Sequence, residues 1–217
     1  MKNWKSIIPY IVPYFIFILI GSTSQFFGDH AYLTYPFKTT VTFILLLYWW
    51  KIYKEIKFSF SPIACITGII VFFIWIGLTE HMPFKMFHPP DTGYNPIRNT
   101  SFTTAFLIFF RLGGAVLVVP LFEELFMRSF VIRLLINPDN FDSVPVGKFT
   151  MFSLIGSVIL FTLGHNLWEW PAAIATGIIY TVLLYRRRQL FDCILAHAVT
   201  NLCLGIYVLI TGKFGYW

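Results

Sequence analysis

Seven stretches of the chain are too apolar to be left in water, and their recurrence constrains the fold more than any motif does. They run at roughly 7–27, 38–53, 60–79, 101–136, 148–166, 171–186 and 190–211. A helix needs about 20 mostly apolar residues to cross a hydrocarbon layer of about 30 Å, and backbone groups in lipid must be satisfied within their own segment. Each stretch is therefore expected to be helical. The fourth is long enough to continue from a span into a second helix, with Pro120 as the expected kink. The expected fold class is all-α, a polytopic membrane bundle of seven or eight transmembrane helices forming a single integral membrane domain over 1–217. Composition excludes a soluble enzyme: 57% of the 217 residues are apolar and 12% charged, against about 45–50% and about 25% in ordinary soluble domains.

The breaks are marked by turn formers. Residues 79–100 hold Pro83, Pro89, Pro90, Gly93 and Pro96, and residues 137–147 hold Pro138, Asp139, Asp142 and Pro145; both read as solvent-facing loops. Trp49, Trp50, Trp168, Trp170 and Trp217 stand near run ends, where interfacial anchors belong. Sixteen Lys and Arg against 10 acids give a net charge of +6. They cluster at the ends of apolar runs, which suits lipid headgroups and topology signals and gives no nucleic-acid partner. Lys51, Lys54 and Lys57, and Arg186, Arg187 and Arg188, should both face the cytoplasm, which requires 101–136 to cross once in net. Lys2 and Lys5 then lie on the same side, and the first run reads as a retained helix because no A-x-A site ends it. This topology puts His165 toward the outer end of its helix and His197 about two turns in from the arginines. No internal repeat is visible, which weighs against an inverted-repeat transporter. Cys65, Cys193 and Cys203 lie in apolar runs without CxxC spacing and read as packing residues.

A charge at mid-helix in a bilayer costs at least about 2.5–3.5 kcal/mol, so intramembrane acids, bases and histidines are functional candidates by default. The densest group is Glu123, Glu124 and Arg128. Glu124 and Arg128 are four apart and share one helical face, so the acid can stay ionised while neutralising the base. Glu123 points about 100° away and is free for other work. The competing reading of Glu124 with Arg128 is a buried pair that fixes helix register. His165 follows Phe161 by four residues, and His197 precedes Asn201 by four, which aims an imidazole and a carboxamide at a common point. Two such donors can stabilise an oxyanion. Either histidine alone is better read as a helix–helix hydrogen bond, but two histidines, an Asn and a Glu-Glu-Arg cluster together favour a site. Arg111 is expected to pair with an acid or reach a water-filled cavity, Arg133 to snorkel, Glu169 to be interfacial, and Asp192 to cap the last helix. His30, His81 and His88 fall in loops.

The order of these boxes, Glu123-Glu124 with Arg128, Phe161 with His165, and His197 with Asn201, each in a separate apolar run, resembles the CPBP (Abi) family of intramembrane proteases. That family includes CAAX prenyl proteases and bacterial bacteriocin-processing or immunity proteins. The resemblance covers roughly residues 115–205, inside a motif-bearing core of about 101–211, and none of the boxes departs from the pattern. The text around the first box and the run from His165 to Trp170 also look like a bacterial subgroup associated with exosortase-type protein-sorting systems.

The resemblance implies an intramembrane glutamic endopeptidase. Glu123, helped by His165, would activate a water; Glu124 and Arg128 would position and tune that base; His197 and Asn201 would hold the oxyanion. No cofactor is implied. A zinc ion held by Glu123, His165 and His197 is the second choice, since no His-Glu-x-x-His is present. The implied partners are membrane lipids, a membrane-associated or lipidated protein or peptide substrate, and an exosortase-type sorting system, in a bacterial inner membrane. Serine chemistry is set aside, because no Gly-x-Ser-x-Gly elbow is present and Ser157 lacks the context of a rhomboid-type site. The alternative is a non-catalytic membrane protein, either a peptide- or lipid-binding partner or a small transporter.

Overall fold

The computed structural model describes residues 4–97 and 100–217, and no strand is present among them. Seven helical segments carry the fold: α1 (Trp4–Ser22), α2 (Thr34–Tyr48), α3 (Pro62–His81), α4 (Ser101–Ile136), α5 (Met151–Leu163), α6 (Trp170–Arg187) and α7 (Leu190–Thr211). Four stretches, α3, α4, Leu167–Arg187 and α7, are long and apolar enough to cross a membrane, and α1 and α5 supply shorter apolar helices. The outer surface is correspondingly greasy: Phe102 is 82% exposed, Ile210 80% and Phe109 71%. Rings and branched chains displayed this way fit lipid, and water would not tolerate so continuous an apolar surface. The chain is an integral membrane protein of all-helical architecture.

Helix starts follow from local chemistry. The Ser61 hydroxyl accepts from the Ala64 amide with Pro62 at the first helical position of α3, and Thr100 and Thr150 cap α4 and α5 in the same way. Gly212, at φ 70°, ends α7 in the left-handed region that a glycine reaches without strain. Asp192 does not cap α7. It lies three residues inside, fully buried, where its carboxylate meets Arg187 at 2.7 Å and the Ser61 hydroxyl at 3.3 Å.

The aromatic spacing of α1 fixes its partner. Tyr10, Tyr14 and Phe17 form one face at i, i+4 and i+7, and they meet Phe130, Phe126 and Phe122 of the antiparallel α4 at centroid separations of 6.1, 4.2 and 4.7 Å. Between α3 and α7 the approach is closer still. A Cβ on Gly68 would collide with the Ala196 carbonyl, while the Thr200 hydroxyl donates to the Gly68 carbonyl at 2.7 Å. Small residues that let backbones touch, tied by a hydroxyl, are the usual way membrane helices associate without a hydrophobic driving force.

The two ends of the bundle differ in charge. At one end the 49–61 connection meets the start of α1, the 137–148 loop and the α6–α7 turn. The Tyr53 hydroxyl donates to the Pro9 carbonyl, Phe58 packs on Phe191, and the Ser59 hydroxyl donates to Gln189. Both basic clusters, Lys51, Lys54, Lys57 and Arg186, Arg187, Arg188, lie here, at one end of the bundle, and α4 runs from the opposite end to this one. Lys2, expected on the same side, lies outside the described residues.

Arg133, expected to snorkel, is instead buried at this end. Its guanidinium reaches Glu55 at 3.3 Å, and the same carboxylate accepts from the hydroxyls of Tyr10 and Ser129. At the opposite end the 82–97 segment folds over the C-terminal turn. A Cβ on Gly93 would strike the Phe214 carbonyl, and Glu80 holds the Lys213 ammonium. His81 is the last residue of α3 rather than a loop residue.

Candidate functional site

α4 is a continuous helix with two wide turns, π-helical at Gly114–Val118 and Leu125–Val131, on either side of the short α-helical stretch Val119–Glu124. Pro120 explains the first of them. In the π-turn the Val119 amide donates five residues back, to Gly114, and so leaves the Ala115 carbonyl without its α-helical donor. The next donor in that register would be residue 120, and proline has none. The orphaned Ala115 carbonyl is taken by the Asn201 side-chain amide at 2.7 Å. Pro120 therefore acts on the hydrogen bonding of its own helix. It frees a carbonyl that pins α7 against α4 beside the paired glutamates.

The two glutamates part as their spacing predicts. Glu124 points into the protein and is fully buried, with one oxygen 3.2 Å from Arg128 Nε and the other 2.9 Å from His197 Nδ1. The Arg128 guanidinium lies over the ring of Phe161 at 4.5 Å and that of Tyr180 at 5.8 Å, so charge and ring faces hold it. Glu123 faces a cavity, and its carboxylate is 3.9 Å from His197 Nε2. Glu124 thus orients His197. An ionised carboxylate only accepts, which places a proton on His197 Nδ1 and leaves Nε2 on the Glu123 side.

His165 sits just past the end of α5, in the turn that leads to α6, and not within the helix. Its Nδ1 donates to the Phe161 carbonyl at 2.8 Å, so the lone pair on Nε2 is the free one. The ring is wedged between Trp75 and Phe161 at centroid separations of 5.7 and 4.5 Å. The turn itself is held by Asn166 and Glu169, which form a reciprocal cap at the start of the Leu167–Glu169 turn.

One cavity of about 240 Å³ is lined by Glu123, His165, His197 and Asn201 together. At about 30 Å³ per water it has room for several waters. Of the six residues singled out by sequence, these four share the cavity walls, while Glu124 and Arg128 stand behind them as a buried pair. Among the described residues no three His, Cys, Asp or Glu side chains converge as a metal set. His197 spends Nδ1 on Glu124 and keeps Nε2 toward Glu123.

Several lining residues escape a motif search. Lys38, Tyr35 and Trp217 belong to the cavity wall, and so does Glu169, which is more than an interfacial residue; Arg111 reaches the same cavity, one of its two expected places. Tyr216 completes the wall from the C-terminal turn. Burial pushes its hydroxyl up to about 12. Cys193, four residues before His197, is buried with its thiol toward the Tyr180 carbonyl and takes no part.

The comparisons with known proteins bear on the same half of the chain. Residues 101–203 match the family model described as type II CAAX prenyl endopeptidase Rce1-like. This stretch, just under half of the chain, is similar to that family. No curated protein and no solved structure matches it. The Rce1-like stretch runs from the first turn of α4 into α7 and contains every residue of the three boxes, while α1, α2 and α3 lie outside it.

Proposed function

We propose that the chain is an intramembrane endopeptidase that hydrolyses a peptide bond of a membrane-associated or lipidated protein. The observation that carries this reading is the meeting of Glu123, His165, His197 and Asn201, contributed by three separate parts of the fold, on the walls of one cavity. A water lying between Glu123 and the free Nε2 of His165 loses a proton to the carboxylate as its oxygen attacks the scissile carbonyl carbon. The carbonyl oxygen becomes an oxyanion facing His197 and the one Asn201 N–H not spent on Ala115. In that role His197 carries a proton on Nε2 as well, and the Glu124 carboxylate against Nδ1 balances the imidazolium. Collapse of the tetrahedral intermediate breaks the C–N bond, and the proton held by Glu123 goes to the departing amine. Arg128 keeps Glu124 ionised and so keeps His197 in place.

The cavity lies toward the end of the bundle opposite the two basic clusters. With those clusters cytoplasmic, it faces the outer side of a bacterial inner membrane. An exported or membrane-tethered protein handled by an exosortase-type sorting system is the kind of substrate this orientation fits.

The test compares the termini of membrane proteins from cells that carry the intact chain with those from cells carrying Glu123→Gln, a nearly isosteric change. A protein terminus present only with the intact chain is the expected result. Identical termini, with both chains folded and equally abundant, would overturn catalysis in favour of a binding role.

A further inference from the structure

Two cations stand where the cavity meets an outer vestibule, a second hollow of about 470 Å³ that shares Lys38, Arg111, Tyr35, Glu169, Tyr216 and Trp217 with the first. Lys38 comes from α2 and Arg111 from α4. The ammonium lies 4.1 Å from the Phe17 ring and 5.0 Å from Tyr35, and the guanidinium lies 4.2 Å from the other partner of that ring contact, Tyr35, 5.5 Å from Trp217 and 5.6 Å from Tyr94. Both cations thus share the Tyr35 ring. Among the described residues neither has a carboxylate within 4 Å, and Arg111 Nε is buried without a hydrogen-bond acceptor. Ring faces soften a positive charge but do not neutralise it. Glu123 and Glu169 stand on the same walls but beyond 4 Å, so neither cation has a carboxylate in contact and the pair can take one from a ligand.

We infer that Lys38 and Arg111 form a seat for a carboxylate of the peptide substrate. The inference rests on the hydrolytic reading above and adds to it the chemistry of the substrate. A guanidinium fork matches a planar carboxylate with two parallel hydrogen bonds, and the ammonium adds a point charge from the side. The aromatic collar of Phe17, Tyr35, Tyr94 and Trp217 accepts the apolar groups that flank the carboxylate. Because the seat lies where the two hollows meet and Glu123 deeper in, a chain held by its carboxylate presents a bond a short, fixed distance away to the water-activating groups. The carboxylate is either the substrate's own chain terminus or an acidic side chain near the cut.

The seat is tested by binding alone, on the Glu123→Gln chain in detergent micelles, so that its failure leaves the hydrolytic reading untouched. Trp217 and Trp75 fluorescence reports occupancy. The probes are an acetylated apolar hexapeptide with a free terminal carboxylate, its terminal amide, the amide carrying one aspartate, and dihexanoylphosphatidylglycerol. A free terminus or an aspartate should bind at least about 10-fold more tightly than the plain amide, as charge-assisted pairs do. Which of the two does so identifies the source. Arg111→Gln and Lys38→Gln should each reduce that preference to within about 3-fold. Equal binding of acid and amide by the unaltered seat, a comparison that needs no further variant to fold, would overturn the proposal. So would tight binding of the phospholipid alone with the same dependence on Arg111 and Lys38, which would make the seat a headgroup site.

Discussion

The Glu124–Arg128 pair offers a prediction whose size depends on burial. Glu124 is 0% exposed and Arg128 1%, and Nε lies 3.2 Å from the carboxylate. At a surface such a pair would contribute about 0–1 kcal/mol. Arg128→Met would there be nearly silent. Inside the bundle the same change strands a carboxylate whose remaining hydrogen-bond partner is His197, and breaking a buried pair from one side costs about 3–5 kcal/mol. The double variant Arg128→Met with Glu124→Gln removes both ions, and the glutamine oxygen can still accept from His197 Nδ1. It should lie within about 2 kcal/mol of the parent, since replacing a whole buried pair is often close to neutral. Reversible denaturant unfolding in micelles, followed by tryptophan fluorescence, measures all three chains. An Arg128→Met loss below about 1 kcal/mol, or a double variant no better than the single, would refute the claim that Arg128 chiefly neutralises Glu124.

Three further outcomes follow from the same geometry. Glu123→Gln and His165→Ala should each lower cleavage by about 10²–10⁴, the usual range for general acid–base groups, with unchanged unfolding midpoints; a comparable fall in stability would show that the ring and the carboxylate are packing groups. Asn201→Ala should lower cleavage and also destabilise by about 1–3 kcal/mol, because the Ala115 carbonyl loses its donor, and unfolding identical to the parent would contradict that pinning. Gly68→Ala should destabilise by about 1–3 kcal/mol through collision with the Ala196 carbonyl, an effect absent if α3 and α7 can slide apart, which the unfolding midpoint decides.

Much of this architecture is legible from hydropathy and one-turn spacing. All seven apolar runs contain helices, because lipid permits little else, and the i,i+4 separations of Glu124 from Arg128 and His197 from Asn201 are face-sharing distances in any helix. Legibility fails where the partner is remote in sequence. Glu55 and Arg133 are 78 residues apart and Ser61 and Asp192 are 131 apart, so no local pattern distinguishes a snorkelling arginine or a capping aspartate from a buried partner. The apolar pattern of the second run begins at Lys38, yet α2 starts four residues earlier, and that extra turn places Tyr35 and Lys38 on the cavity wall. The loop reading of 79–100 missed the folding of Gly93 onto the C-terminal turn, which depends on a close backbone approach that composition does not encode.

The central claim is that groups from α4, the α5–α6 turn and α7 meet in a single water-reachable cavity toward the end away from the basic clusters. Cysteine placed singly at 123, 165 and 201, in a chain with Cys65, Cys193 and Cys203 replaced, tests it with a charged, membrane-impermeant thiol reagent applied to either face of sealed vesicles. The account predicts that all three positions are modified from the same face, opposite the one that modifies a cysteine at position 54. Modification of 123 and 165 from different faces, or of neither, would contradict it.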